Sequence, residues 1–147
     1  MIRPDLPLSV THEVRDRCLC LLTQRAARAL ARRFDEALRP LGLTNGQFSL
    51  LTALNRPEPP RIADLAPFLA MDRTTLTAAL KPLERRGLLM VMADAKDRRA
   101  KRLALTDAGR DLLVEAVPIW RATHDELDAE IAGPEPERLR ADLRALA

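Results

Sequence analysis

The sequence predicts a mainly α-helical (α+β) chain with one β-hairpin set between helices, and three observations predict it. Apolar residues recur at three- and four-residue steps along most of the chain, the pattern of a helix with one buried face. That period breaks at two short apolar pieces, GLLMVM (87–92) and LAL (103–105), which are joined by a charged loop. Just upstream, two short helical segments are separated by a tight turn, so the hairpin would form the wing of a winged helix-turn-helix.

Size and composition narrow the function classes. The 147 residues suffice for one domain of ordinary size with its own core. Apolar residues at 47% and charged residues at 31% describe a globular chain. No apolar run approaches the ~18–20 residues of a membrane span, and the N-terminal stretch lacks the basic-then-apolar order of a signal peptide. Two cysteines are too few for a disulfide framework, so a cytoplasmic protein with no membrane partner is expected.

The elements follow in order. Residues 12–39 read as one long helix, with Val14, Cys18, Leu21/Leu22, Ala26, Ala29/Leu30 and Ala37/Leu38 on one stripe and no Pro or Gly before Pro40. Thr44 and Gln47 form a capping-box pattern at the start of a second helix, whose face is Phe48, Leu51 and Leu54. Residues 61–71 give a short helix with Ile62, Leu65 and Leu69 inward, disturbed by Pro67. Asp72 is placed to cap the next helix, which buries Leu76, Leu80 and Leu83 and ends at Gly87. Pro82 removes a hydrogen bond inside it and crowds Ala78, so a kink or early loosening is expected there.

Beyond the hairpin, Thr106 caps a second long helix running to about residue 133. Pro118 should bend it, and Leu113, Val117, Trp120, Leu127 and Ile131 form its apolar face. A last helix, about 135–146, carries Leu139, Leu143 and Leu146. The helix-turn-helix is too small to cover the stripes of three flanking helices. A second copy of the chain can cover them, so a two-fold dimer built from both ends of the sequence is expected. The expected division is an N-terminal dimerisation helix (1–43), a winged helix-turn-helix lobe (44–105) and C-terminal dimerisation helices (106–147).

Charge is unevenly spread along the chain. Lys and Arg against Asp and Glu number 9 to 6 over residues 1–60, 10 to 5 over 61–102, and 5 to 10 over 103–147. The basic middle coincides with the helix–hairpin unit and suits a polyanion, double-stranded DNA first. On the helix from Arg73, the outward residues Arg73, Thr74, Thr75, Thr77 and Lys81 are short hydroxyls and cations near an N-terminus, a set fitted to the major groove. The hairpin tip adds Lys96, Asp97, Arg98, Arg99 and Lys101. Its arginines can reach a narrow minor groove. Asp97 repels phosphate, and its presence makes sense if an ion pair holds Arg99 extended.

The stretch DRRAKRLALTDAG (97–109) resembles the wing signature of the MarR-type transcriptional regulators: Asp-x-Arg, a short strand, Leu-Thr and a Gly. LTNGQFSLLTAL (43–54) and IADLAPFLAMDRTTLTAALKPLERRGLL (62–89) support the resemblance, which covers about residues 14–146. It implies a homodimer on a pseudo-palindromic operator, usually repressing, and released by a small ligand or by oxidation. By position it assigns Arg73, Thr74, Thr75, Thr77 and Lys81 to the recognition helix. Asp97 and Arg99 become the wing pair, with Arg99 entering the minor groove. Pro67 and Pro82 depart from the family's usual helical interiors.

Cys18 and Cys20 are candidate redox residues, an alternative switch in the same scaffold. Two apart on a continuous helix their side chains diverge, so a disulfide between them would break that helix. Cys20 lies at about the position of the sensing cysteine in the family's organic-hydroperoxide branch. That branch activates its thiolate with tyrosines, and this chain has none. His124, on the stripe Trp120–His124–Leu127–Ile131, reads as a satisfied interface histidine. Trp120 and His124 are also the candidate lining for a small aromatic or hydrophobic effector. Two histidines without ligand spacing imply no metal. No Cys-x-x-Cys, Gly-rich phosphate loop or acid/His cluster is present, so neither a cofactor nor an enzymatic activity is expected.

Overall fold

The computed structural model describes residues 1–131, 133 and 135–147. Helices α1 (Leu8–Arg17) and α2 (Leu19–Leu38) lead through a 3-10 turn (Arg39–Leu41) to α3 (Asn45–Ala53), α4 (Ile62–Phe68) and α5 (Arg73–Arg85). Strands β1 (Leu89–Ala93) and β2 (Lys101–Leu105) follow, then α6 (Asp107–Glu130) and α7 (Pro136–Ala145). The chain is a mainly α winged helix-turn-helix with long flanking helices, as its sequence predicts.

The capping residues are those the sequence marks. Thr44 accepts the Gln47 N–H at 3.2 Å, while its own N–H donates to Gln47 Oε1 at 3.1 Å, closing the capping box of α3. Asp72 Oδ1 accepts the Thr75 N–H at 2.8 Å at the start of α5. Thr106 Oγ1 accepts the Gly109 N–H at 3.1 Å at the start of α6. Gly42 (φ 65°) and Gly87 (φ 71°) end their segments in the left-handed region, where a residue without Cβ is favoured.

Two expectations are corrected. The first helix is two: Cys18 has extended torsions (φ −74°, ψ 106°), which divide α1 from α2. No Pro or Gly marks the break, but Thr11, His12, Val14, Asp16 and Cys18 are all weak helix formers, and α1 buries no residue that would hold it in line. Pro82 does not end α5 early. The helix runs on to Arg85, and the Arg86 N–H still reaches the Pro82 carbonyl at 3.1 Å, because the buried Leu80 and Leu83 hold both sides of the proline. Pro118, where a bend is expected, lies inside α6, which is continuous through it. The extension of α6 to Gly133 crosses Ala132, which lies outside the described residues.

The core forms where the short helices meet the long ones. Leu51, Leu65, Leu76, Leu83, Leu89 and Leu103 are fully buried, and Leu38 before them and Leu113 and Ala116 after them join the same cluster. Inward positions at Leu65, Leu76, Leu80, Leu83, Phe48, Leu51 and Leu54 are those predicted. The hairpin is antiparallel with Leu89 opposite Leu105, Val91 opposite Leu103 and Ala93 opposite Lys101, so alternate residues face that core. The segment before α4 adds to the sheet: Arg61 bridges Arg102, and the Leu103 N–H donates to the Pro60 carbonyl at 3.0 Å.

The outer helices are much less covered. Of α2 only Phe34 and Leu38 are buried, while its Leu19, Leu22 and Leu30 are exposed, as is Val14 of α1. Leu143 and Leu146 of α7 are exposed too. Arg33 pairs with Glu130 at 2.5 and 2.8 Å to join α2 to α6, and Arg140 pairs with Asp128 at 2.6 and 2.8 Å to join α7 to α6.

Candidate nucleic-acid interface

Helix α5 presents its predicted outward residues to solvent, because Leu76, Leu80 and Leu83 anchor the opposite side. Its N-terminus is held by Asp72, whose carboxyl lies below the ordinary value through hydrogen bonds from the Thr75 backbone and then the Thr75 side chain. Thr75 Oγ1 donates to Asp72 Oδ2 at 2.7 Å, so this hydroxyl is shared with the cap. Arg73, Thr74, Thr77 and Lys81 make no side-chain hydrogen bond or ion pair among the described residues.

Between α5 and the hairpin lies an open cleft of about 610 Å³. It gathers Arg73, Thr77 and Lys81 from the helix with Asp97, Arg99 and Lys101 from the wing. The sequence put these residues up to 28 positions apart. Thr74, Thr75, Lys96 and Arg98 lie outside its lining, although all are exposed.

The wing pair is built differently from expectation. Asp97 makes no ion pair with Arg99 among the described residues. Its Oδ1 instead accepts the Arg99 backbone N–H at 3.0 Å, and the Asp97 carbonyl accepts the Ala100 N–H at 3.0 Å. A short acidic side chain two residues back closes such a turn on the backbone more readily than it reaches a long guanidinium. The turn is pinned, and the Arg99 side chain makes no hydrogen bond or ion pair among the described residues.

Sequence reasoning missed the base of the wing. Asp94 is buried at the end of β1, with Oδ2 2.7 Å from Arg61 Nη2 and 3.3 Å from Arg102 Nε. Its Oδ1 accepts the Lys96 N–H at 3.0 Å. That hydrogen bond first, and then the charges of Arg102 and Arg61, hold the carboxyl below its ordinary value. Nothing in the charged run singles out Asp94; the fold does, by burying it against Arg61 and Arg102.

The LTDAG piece joins the wing to α6. The Thr106 hydroxyl donates to the Gly87 carbonyl at 2.5 Å, and the Thr106 N–H to the Leu88 carbonyl at 3.2 Å. Gly109 packs against that same Leu88 carbonyl, and a Cβ there would sit 2.0 Å from the oxygen. The Leu-Thr and Gly of the wing signature thus clamp the strand start to the helix start.

A family model for the MarR family matches residues 43–101, the span from α3 to the wing. A DNA complex of the Mycobacterium tuberculosis transcriptional regulator MosR is 43% identical, with a TM-score of 0.80, over 88% of this chain and 93% of that one. The chain belongs to the MarR family. The transcriptional activatory protein BadR of Rhodopseudomonas palustris is 34% identical over 70% of this chain, which spans 61% of BadR. The structure of Bordetella bronchiseptica BpsR, described by its regulation of DNA binding by 6-hydroxynicotinic acid, is 27% identical with a TM-score of 0.79, over 88% of this chain and 93% of that one.

The remaining candidates in this MarR chain lie on α6 and at the start of α2. Trp120 stacks on Phe48 at 5.9 Å between centroids and meets the His124 ring edge-on at 4.5 Å. These residues and Phe34 border a cavity of about 190 Å³. The buried His124 Nδ1 has no hydrogen-bond partner among the described residues, and the rings of Phe34 and Trp120 lie 4.6 and 4.5 Å from its own between centroids. Burial first, then the Arg140 charge, lowers its pKa. Cys18 is half-buried at the helix break and Cys20 is exposed, both as free thiols. Cys18 lies at the break and Cys20 on α2, so the two do not share one continuous helix. Among the described residues no cluster of three metal-ligating side chains occurs, and no helix is long and apolar enough to cross a membrane.

Proposed function

We propose that the chain is a sequence-specific DNA-binding transcriptional repressor that acts as a homodimer on a pseudo-palindromic operator. The observation that carries this reading is the cleft joining Arg73, Thr77 and Lys81 of α5 to Arg99 and Lys101 of the wing. The helix would enter the major groove, and Arg99 the neighbouring minor groove. Lys96 and Arg98 would contact phosphates. Thr74 and Thr75 lie in the first turn of the helix beside Arg73, and Asp97 fixes the Arg99 backbone. The MosR complex with DNA supports the partner. The exposed apolar residues of α1, α2 and α7 support pairing through residues 1–43 and 106–147, with 44–105 as the reading lobe.

The test is binding to genomic fragments, then to a palindromic duplex with half-sites about 10 base pairs apart. Arg99→Ala should weaken binding most at A·T-rich flanks. Equal binding of all duplexes by this variant and wild type would overturn the wing assignment.

Release by a small aromatic or hydrophobic effector at Trp120 and His124 is the second part of this reading. The aromatic cavity and the unpartnered Nδ1, an acceptor for a ligand N–H or O–H, favour it. BpsR's regulation by 6-hydroxynicotinic acid is consistent with it. Titrating small aromatic acids against the protein–operator complex checks it, with Trp120 fluorescence as a direct readout. The alternative trigger is oxidation at Cys20, the exposed thiol, or at Cys18. Peroxide should then release wild type but not Cys20→Ser or Cys18→Ser; equal release from all three eliminates it.

A further inference from the structure

The wing tip touches little besides itself. Asp94 N–H donates to the Ala100 carbonyl, the Asp97 turn closes the end, and no ion pair ties Lys96, Arg98 or Arg99 to the body among the described residues. An isolated two-stranded hairpin is marginal in water, so its angle to α5 must be set at its foot. Three segments converge there. Arg61 stands at the entry to α4, with its N–H 3.3 Å from Asp64 Oδ2. Arg102 lies on β2 and also donates from Nη1 to the Pro59 carbonyl at 2.7 Å. The third is the tip loop, through the Lys96 N–H. The Asp94 carboxylate contacts all three, with its side chain 3% exposed.

We propose that Asp94 is a positioning residue for DNA recognition, holding the wing at a fixed angle to α5 by binding Arg61 and Arg102 with one buried carboxylate. The inference rests on the reading of the cleft as a DNA interface. One carboxylate between two guanidiniums leaves the cluster net positive, so the acid costs the basic face little. Without it, two like charges converge at the hairpin base, and that base opens. Arg99 then loses its place opposite α5, although Arg99 itself is unchanged. Asp94 touches no DNA in this scheme and acts only through the wing.

Asp94→Asn is the informative variant. The amide can still accept the Lys96 N–H, but it lacks the charge that binds the guanidiniums. On an operator with A·T-rich flanks, Asp94→Asn should lose about tenfold in affinity, comparable with loss of one base-reading arginine. Arg99→Ala in the Asp94→Asn background should then cost under twofold. A merely structural role predicts the opposite: a lower melting temperature, unchanged affinity of the folded protein, and a full Arg99 effect in both backgrounds. Either unchanged affinity or additive effects overturn the proposal. Arg61→Met, which removes one partner and keeps the carboxylate, repeats the test if Asp94→Asn fails to fold. Amide exchange at residues 95–100 separates this inference from the function it rests on. Exchange should quicken there, relative to core amides, in Asp94→Asn without any DNA. Faster exchange with no duplex bound by wild type would sink the function but keep the anchor; unchanged exchange sinks the anchor.

Discussion

At Gly109 one missing methyl group decides how the wing meets the long helix. The Leu88 carbonyl lies where a Cβ would be, and the atom is backbone, so it cannot swing aside. Gly109→Ala should therefore destabilise the fold by about 2–3 kcal/mol through overpacking, read in a denaturant titration. An unchanged midpoint would mean that α6 can shift freely. His124 is the second informative residue. Burial lowers its folded-state pKa, so the unfolded chain takes up the proton first as pH falls below about 6.5. Its contribution is complete above that value and is lost as pH falls through the depressed folded value. Melting curves should show wild type losing stability on acidification faster than His124→Phe; parallel curves refute this. Of these residues, the signature exposed Gly109 to sequence reasoning. The orphaned Nδ1 stayed hidden, because spacing alone does not show that its neighbours are rings.

Among the elements, the wing depends most on its junctions. Thr106 caps α6 and holds the Gly87 carbonyl with the same hydroxyl. Thr106→Ala should cost about 1–2 kcal/mol, the upper range of a lost cap, whereas Thr106→Ser should stay near wild type. Equal losses in both would assign the effect to the methyl group rather than the hydroxyl. Capping residues were legible because a cap is a local interaction, settled within four residues. The break at Cys18 and the continuity of α5 through Pro82 were not. The continuous apolar stripe argued against the break and the proline against the continuity, and packing decided both: α1 has no buried side to keep it in line with α2, while Leu80 and Leu83 hold α5 on both sides of its proline.

Over the whole molecule, charge and apolar surface separate. The basic excess lies on residues 61–102, and the uncovered apolar side chains crowd the two ends of the chain. Operator affinity should fall linearly on a log–log plot against salt, with a slope near −0.9 per phosphate neutralised. Arg98→Ala should reduce that slope by about one. A slope indifferent to Arg98 would remove it from the phosphate contacts. Leu30→Asp, on the exposed part of α2, should convert the proposed dimer to monomers in sedimentation experiments and abolish tight operator binding. A dimer that survives this change would place the interface elsewhere.

The order of elements, their caps, the buried leucines and the family were determined by the sequence alone, because each rests on neighbours a few residues apart or on a signature of fixed spacing. Tertiary structure alone decided what long-range pairing controls. It turned Asp97 toward a backbone N–H rather than a guanidinium. It brought Arg61, Asp94 and Arg102 to one point from three segments, the entry to α4, the end of β1 and β2. Charge in a sequence is a sum, but in a fold it is an arrangement, and burial of a single carboxylate decides which arginines remain free for a ligand.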